Sequence, residues 1–455
     1  MSDDKNTVGG PDAATLRARV KALMPQAQAD LERLVKISSI AFEGFPREPV
    51  DEAARAVADM LTACGLANVR LLDIPDGPHA VFGERPAPPG QPTVLLYSHY
   101  DVQPPGDESL WTTPPFAPAL RDGRLYGRGA SDDKGGDIMH AYALKALGDD
   151  CPVGIKVLIE GEEEAGLGSL EKWVAGHGDM LACDLIVMGD TGNAKIGQPT
   201  LTISLRGMTA VVVEVETLRN AVHSGMFGGA APDALTALIR MLDSMFDEHG
   251  NVAVAGLKTI DWDGADYPEN DFRADAGVLD GVALVGDGTV GERLWAKPAI
   301  TVIGLDAPAV ETAGNALVPK ARAKVSARLA PGQDPVDAQA ALRQHLEKVA
   351  PWDVKVKVTN AVVGEGFLAK TDGPAYAVVE AALAEAFGDK TVHMGQGGSI
   401  PLVMAFRDAV PGAEIVLYGP EEPLSKIHSP DESVSLDELE KCIVGEALVL
   451  VGMAR

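Results

Sequence analysis

Four cysteines in 455 residues (Cys64, Cys151, Cys183 and Cys442) are too few and too scattered for a disulfide framework. No Cys-x-x-Cys pair occurs, which also excludes the usual thiolate zinc site. Cys64 and Cys442 fall in apolar helical patterns, where a thiol behaves as a small core residue. No run reaches the roughly 18 apolar residues that a membrane-spanning helix needs. The first residues, Met1-Ser2-Asp3-Asp4-Lys5, are polar and acidic, unlike a secretory or transit leader. Positive charge is scarce: 39 Lys+Arg stand against 66 Asp+Glu, a net charge of −27. A chain this acidic, with no Lys/Arg run, repels a nucleic-acid backbone and an anionic membrane alike. No Gly-x-Ser-x-Gly elbow occurs, which disfavours a serine hydrolase. Gly127-Arg128-Gly129 lacks a third glycine and runs into Asp132, which disfavours a dinucleotide site. The expectation is a cytoplasmic protein that contacts neither nucleic acid nor membrane.

What is present is ordinary globular material, 46% hydrophobic and 23% charged, long enough for two or three domains. Up to about Leu205, helical and strand patterns alternate. Leu16, Val20, Leu23, Ala27, Leu31 and Leu34 recur at helical spacing, as do Val57, Met60, Leu61 and Cys64. Strand-length apolar runs follow at 69–72, 80–82, 94–97, 155–159 and 185–188, with helices expected at 134–147 and 169–175. The last three runs are nearly continuous, as strands covered on both faces are. This predicts an α/β layer with a mixed or largely parallel sheet. From about Gly207 to Leu368 the strands alternate instead: Val211, Val213, Val215; then Ala323, Val325, Ala327, Leu329; then Val354, Val356, Val358. With a further strand at 299–304 and helices at 232–246 and 335–349, the order is β-α-β-β-α-β, a ferredoxin-like α+β unit. The acidic, Gly-rich stretch 247–297 has no assignable pattern. From about Thr371 the α/β texture returns, with helices at 374–387 and 436–451 and a strand at 414–418. The expected architecture is a catalytic domain, residues 1–206 and 371–455, interrupted by an inserted domain, residues 207–370.

Carboxylates and imidazoles fall where these strands end, and ligands of open α/β sheets bind beyond the carboxyl ends of strands. The 94–97 run leads into Ser98-His99-Tyr100-Asp101, and 155–159 into Glu160-Gly161-Glu162-Glu163-Glu164. The 185–188 run leads into Gly189-Asp190, Asp132 precedes a helix, and His428 follows the 414–418 strand. Two imidazoles and three carboxylates suit a borderline cation such as zinc, and five ligands exceed one ion's usual four. Two metals sharing a bridging carboxylate accommodate them. Of the adjacent Glu163 and Glu164, one can ligate while the other stays free as a base.

Several segments, taken in order, carry a resemblance. They are Leu96-Tyr97-Ser98-His99-Tyr100-Asp101-Val102-Gln103-Pro104, then Asp122-Gly123-Arg124-Leu125-Tyr126-Gly127-Arg128-Gly129 with Asp132-Asp133-Lys134-Gly135. Glu163-Glu164-Ala165-Gly166, Asp190, His223-Ser224-Gly225, Gly397-Gly398-Ser399-Ile400-Pro401 and His428 follow. Over nearly the whole chain this resembles the zinc metallopeptidases that include carnosine dipeptidase, aminoacylase, glutamate carboxypeptidase, acetylornithine deacetylase and succinyl-diaminopimelate desuccinylase. The extent of the insert and the Arg328 segment are most similar to the carnosinase-like dipeptidases.

The resemblance implies two Zn2+ per subunit, with Mn2+ or Co2+ as possible substitutes. His99 and Asp190 would hold one, Glu164 and His428 the other, with Asp132 bridging through a cis Asp132–Asp133 peptide. Asp101 would orient His99, and Glu163 would be the general base. His223 on the inserted domain would stabilise the oxyanion in a partner subunit's site, which implies a homodimer. Arg328, Asn315, Gly397, Gly398 and Ser399 would bind substrate, Arg328 taking a free C-terminal carboxylate. Relatives often place Arg shortly before Gly-Gly-Ser, where this chain has Gly395-Gln396. The implied reaction is hydrolysis of dipeptides or small peptides. N-acyl-amino-acid hydrolysis uses the same machinery, and a catalytically silent peptide-binding metalloprotein would lack Glu163 or the ligands, all of which are present.

Overall fold

The computed structural model describes residues 10–398 and 400–454. The Met1–Lys5 segment and Ser399 lie outside them. The chain divides into two units. One comprises the described residues up to Ile203, Ala369–Met394 and those from Ile400 onward; the other comprises Ser204–Leu368 and residues 395–398.

In the first unit six strands form one mixed sheet, in the order Ala67–Leu72, Ala80–Arg85, Gly154–Glu160, Thr93–His99, Leu185–Met188 and Glu414–Leu417. The first two pairings are antiparallel and the last three parallel. Leu185–Met188 is buried at every position and Thr93–His99 at all but its first. The continuous apolar runs of the sequence are therefore strands covered on both faces, as expected. The Ala13–Val35 helix begins where Asp12 accepts the Thr15 N–H at 2.8 Å, and it buries Leu16, Val20, Ala27, Leu31 and Leu34. The Lys134–Leu147 helix is buried except at Lys145 and packs against both Ala13–Val35 and Leu436–Gly452. Cys64 and Cys442 are buried, and all four cysteines are free. No helix among the described residues is long and apolar enough to cross a membrane.

The second unit is a four-stranded antiparallel sheet, ordered Ala299–Asp306, Lys320–Leu329, Gly207–Glu216, Lys355–Gly364. In chain order this is 2-3-1-4, with helices Ala234–Asp243 and Pro335–Lys348 after the first and third strands. That is the ferredoxin-like arrangement the alternating pattern predicts. Ala321, Ala323, Val325, Ala327 and Leu329 face a core shared with Leu238, Met241, Leu342 and Leu346. The first helix is shorter than the expected 232–246. Asp233 stops it at the N-terminus, one carboxylate oxygen accepting Thr236 N–H at 2.8 Å and the other Val318 N–H at 2.5 Å. The unassigned stretch 247–297 contains a helix, Glu269–Asp275, and a π-helical turn, Glu292–Ala296. Its order comes from aromatic packing, with Trp262 and Trp295 5.1 Å apart between ring centroids and Tyr267 edge-on to Phe272 at 5.7 Å.

Candidate metal centre

Strand register lines up the groups that matter. His99 ends the Thr93–His99 strand directly opposite Glu160, and Tyr97 pairs with Met188, two residues before Asp190. Three adjacent parallel strands thus release their chains at one edge. Asp132 reaches the same place from the turn before the Lys134–Leu147 helix, and the Asp132–Asp133 peptide is cis. Asp133 accepts Gly136 N–H at 3.1 Å as the helix cap and His99 N–H at 3.3 Å, tying the helix to the strand end.

Two triads result, His99–Asp132–Asp190 and Asp132–Glu164–His428, each with its ligand atoms within 4.8 Å of one another. Asp132 belongs to both: Oδ1 lies 3.1 Å from His99 Nε2 and Oδ2 lies 2.9 Å from His428 Nε2. His99 Nε2 is also 3.7 Å from Asp190 Oδ1, and His428 Nε2 is 3.1 Å from Glu164 Oε2. His99 Nδ1 faces the Asp101 main-chain carbonyl at 3.1 Å. A carbonyl only accepts, so Nδ1 carries a proton and Nε2 is the nitrogen turned toward the carboxylates, free to ligate once a cation displaces any proton it holds. That nitrogen is buried without a hydrogen-bond partner. Lone pairs converging on one buried point call for a cation, and the residues present fit a pair of divalent metals.

Electrostatics give the same indication. Burial, then the Asp190 charge, raises Glu163 well above the usual carboxylate range. Burial and Asp132 push Glu164 up to about 7, and burial raises Asp190. Hydrogen bonds to Asp132 and Glu164 lift His428 to about 10. Burial opposes protonation of His99, but the nearby Asp101, Asp132 and Asp190 carboxylates together raise it well above its ordinary value. The cluster is short of positive charge, so protons are held where a cation would relieve the repulsion.

Asp101 touches both His99 and the turn that carries the glutamates. Its carboxylate stands 3.5 Å from His99 Nδ1, farther than its own carbonyl. The two carboxylate oxygens accept Glu163 N–H at 3.1 Å and Glu164 N–H at 3.2 Å, shaping the turn that presents both glutamates. Gln103 Nε2 donates to Glu164 Oε2 at 2.8 Å. Glu432, which sequence reasoning missed, accepts Ser131 N–H at 3.1 Å, Asp132 N–H at 3.2 Å and the buried Arg128 Nη1 at 2.6 Å. It thereby joins the turn carrying Asp132 to the loop carrying His428. Glu421, also missed, is buried with one oxygen unpartnered, and burial followed by Asp132 and Asp190 raises it well above its usual range. The only signal available for Glu432 was its place four residues after His428.

The other expected site residues lie in the second unit. His223 and Asn315 are exposed neighbours: His223 pairs with Ala316, and Ser224 N–H donates to the Asn315 carbonyl at 3.0 Å. Arg328 is half-buried near the end of the Lys320–Leu329 strand, and Gly397 and Gly398 are exposed.

The sequence matches the peptidase family described as M20/M25/M40 over residues 95–450. It is 40% identical to the cysteinylglycine-S-conjugate dipeptidase of Corynebacterium striatum over 408 residues, 88% of this chain and 90% of that protein. It is 28% identical to the Cys-Gly metallodipeptidase of Schizosaccharomyces pombe, covering 91% of this chain and 92% of the relative. Among solved structures, human carnosine dipeptidase 1 superposes with a TM-score of 0.76 at 25% identity, covering 98% of this chain and 99% of that one.

Proposed function

Because the chain belongs to peptidase family M20/M25/M40, we propose that it hydrolyses the amide bond of dipeptides or small peptides that carry a free C-terminal carboxylate. The observation that carries this reading is the pair of triads sharing Asp132, with Glu163 beside the ligand Glu164. His99 and Asp190 would hold one Zn2+, Glu164 and His428 the second, and Asp132 both; Mn2+ or Co2+ suits the same carboxylate-rich set. When bound, such ions supply Lewis-acid polarisation of the scissile carbonyl and an activated water at neutral pH. The names of the relatives, dipeptidases for Cys-Gly, cysteinylglycine conjugates and β-Ala-His, support a dipeptide substrate.

Glu163 is the general base. Burial and Asp190 raise its proton affinity, which suits a carboxylate that takes a proton from water and returns it to the leaving amine nitrogen. Asp101 holds that base in place through its two main-chain bonds and orients His99 through its carbonyl. His223 stabilises the tetrahedral oxyanion, contributed across a homodimer formed by the inserted domain. Arg328 takes the substrate carboxylate, since a guanidinium fork matches its geometry, with Asn315, Gly397, Gly398 and Ser399 as further contacts.

The test is metal content per chain by elemental analysis, with rates on a panel of dipeptides and N-acetyl or N-succinyl amino acids after chelation and zinc add-back. About two metals per chain and faster release from dipeptides support the reading. Faster release from the N-acyl compounds redirects it to amidohydrolase chemistry. Failure of the metal-loaded protein to cleave any of them sinks it.

A further inference from the structure

The four-stranded sheet ends in two guanidinium groups that have no counter-ion among the described residues. Register explains their meeting. Arg328 pairs with Ala299 on one side and Met208 on the other. Lys297 lies two residues before Ala299, and Arg206 two residues before Met208. Three adjacent strands therefore bring Arg206, Lys297 and Arg328 to one corner of the second unit.

Arg206 is only 5% exposed. Its Nη2 donates to the Lys297 carbonyl at 2.6 Å and, weakly, to the Arg328 carbonyl at 3.4 Å, while its Nε has no partner. Arg206 N–H donates to the Gln396 carbonyl at 3.3 Å, and Gln396 Oε1 and the buried Ser204 Oγ also lack partners. Burial and then the Arg328 charge pull the proton affinity of Arg206 down to about 10, and no carboxylate offsets them. Among the described residues neither guanidinium has an acidic partner. The chain has 66 acidic residues, so the lack is not one of supply. A buried cation beside a second cation is costly unless an anion reaches it. Among the described residues none does, which leaves the pair open to an anion from outside the chain.

We propose that Arg206 is a positioning residue for Arg328. It holds the main chain at the ends of two strands through one planar group. Its charge also disfavours any fold of the Arg328 guanidinium back onto the sheet, leaving that fork free for an anion. Together the two arginines set the preference for a substrate with a free α-carboxylate over the same substrate as its neutral C-terminal amide. This rests on the reading of Arg328 given above and extends it to a buried residue that itself touches no substrate.

The experiment measures kcat and KM for one good dipeptide and for its C-terminal amide, in the metal-loaded wild type and in R206K, R206M and R328M. Wild type prefers the free acid, and R328M abolishes that preference. In R206M the acid-to-amide ratio of kcat/KM falls about tenfold, the scale of one charge-assisted contact, with the change in KM rather than kcat. R206K keeps the charge but loses the planar fork, and falls between. If R206M fails to fold, judged by circular dichroism and size-exclusion chromatography, the R206K ratio decides. Equal losses on acid and amide, or an unchanged ratio in R206K and R206M, overturn the role of Arg206 while leaving Arg328 as the carboxylate ligand. No preference in wild type overturns the Arg328 reading and this inference with it.

Discussion

The two sheets of this protein end in opposite electrostatic deficits. In the six-stranded sheet, parallel strands release His99 and Asp190 at one edge, where Asp132, Glu163, Glu164 and Glu421 crowd without a compensating cation. In the four-stranded sheet, antiparallel strands bring Arg206 and Arg328 together without an anion. Each corner is incomplete in itself, and each names by its sign the kind of ligand that completes it. A fold can hold like charges this close because the surrounding units are well packed. The central strands Thr93–His99 and Leu185–Met188 of the first sheet are buried on both faces, and the second sheet rests on a core of Val211, Val213, Val325, Leu342 and Leu346.

The comparison breaks most completely at its shared carboxylate. Asp132→Ala is expected to lower metal content from about two per chain to below one and to abolish turnover; elemental analysis that still finds two metals would refute the shared-ligand arrangement. Glu163→Gln separates base from ligand. It should cost about 10²–10⁴-fold in kcat with metal content unchanged, read by steady-state kinetics beside elemental analysis.

Glu432→Gln probes the connection between the Asp132 turn and the His428 loop. Weakening that charge-assisted anchor should reduce Mn2+ affinity by about 10–100-fold in calorimetric titration. A smaller effect sharpens the negative deficit itself. In metal-free protein Glu164 is raised to about 7, so the native state holds a proton that the unfolded chain releases at its ordinary carboxylate value. The stability this contributes is complete below the unfolded value and is lost as pH rises through about 7. The melting temperature of the metal-free protein should therefore fall between about pH 5 and pH 7, and metal loading should flatten that fall. A flat profile without metal would mean that the carboxylates are not crowded.

Much of this was legible in order along the chain. Helix Ala13–Val35 coincides with its hydrophobic pattern because burial of one face imposes a period, and strand Leu185–Met188 because burial on both faces makes the run continuous. His99, Asp132 and Asp190 could be marked because each sits beside a strand end or a helix start, whereas the choice of Glu164 over Glu163 came from the family resemblance and His428 lies in a loop well past its strand; the structure brings all five together. The stretch 247–297 could not be read, since its order comes from Trp262 against Trp295 and from turns with no repeat.

The sequence alone determined the element types, the insertion of one texture into another and the set of ligand-type residues, because these depend on local period and on side-chain chemistry. Only the tertiary structure decided the rest. It gave one carboxylate oxygen of Asp132 to each histidine, placed the Asp101 carboxylate under two glutamate N–H groups, and set Arg128 on Glu432 across 304 residues of chain. It also set Arg206 beside Arg328. Those are relations between distant segments, fixed by strand register and packing, and no local pattern encodes them.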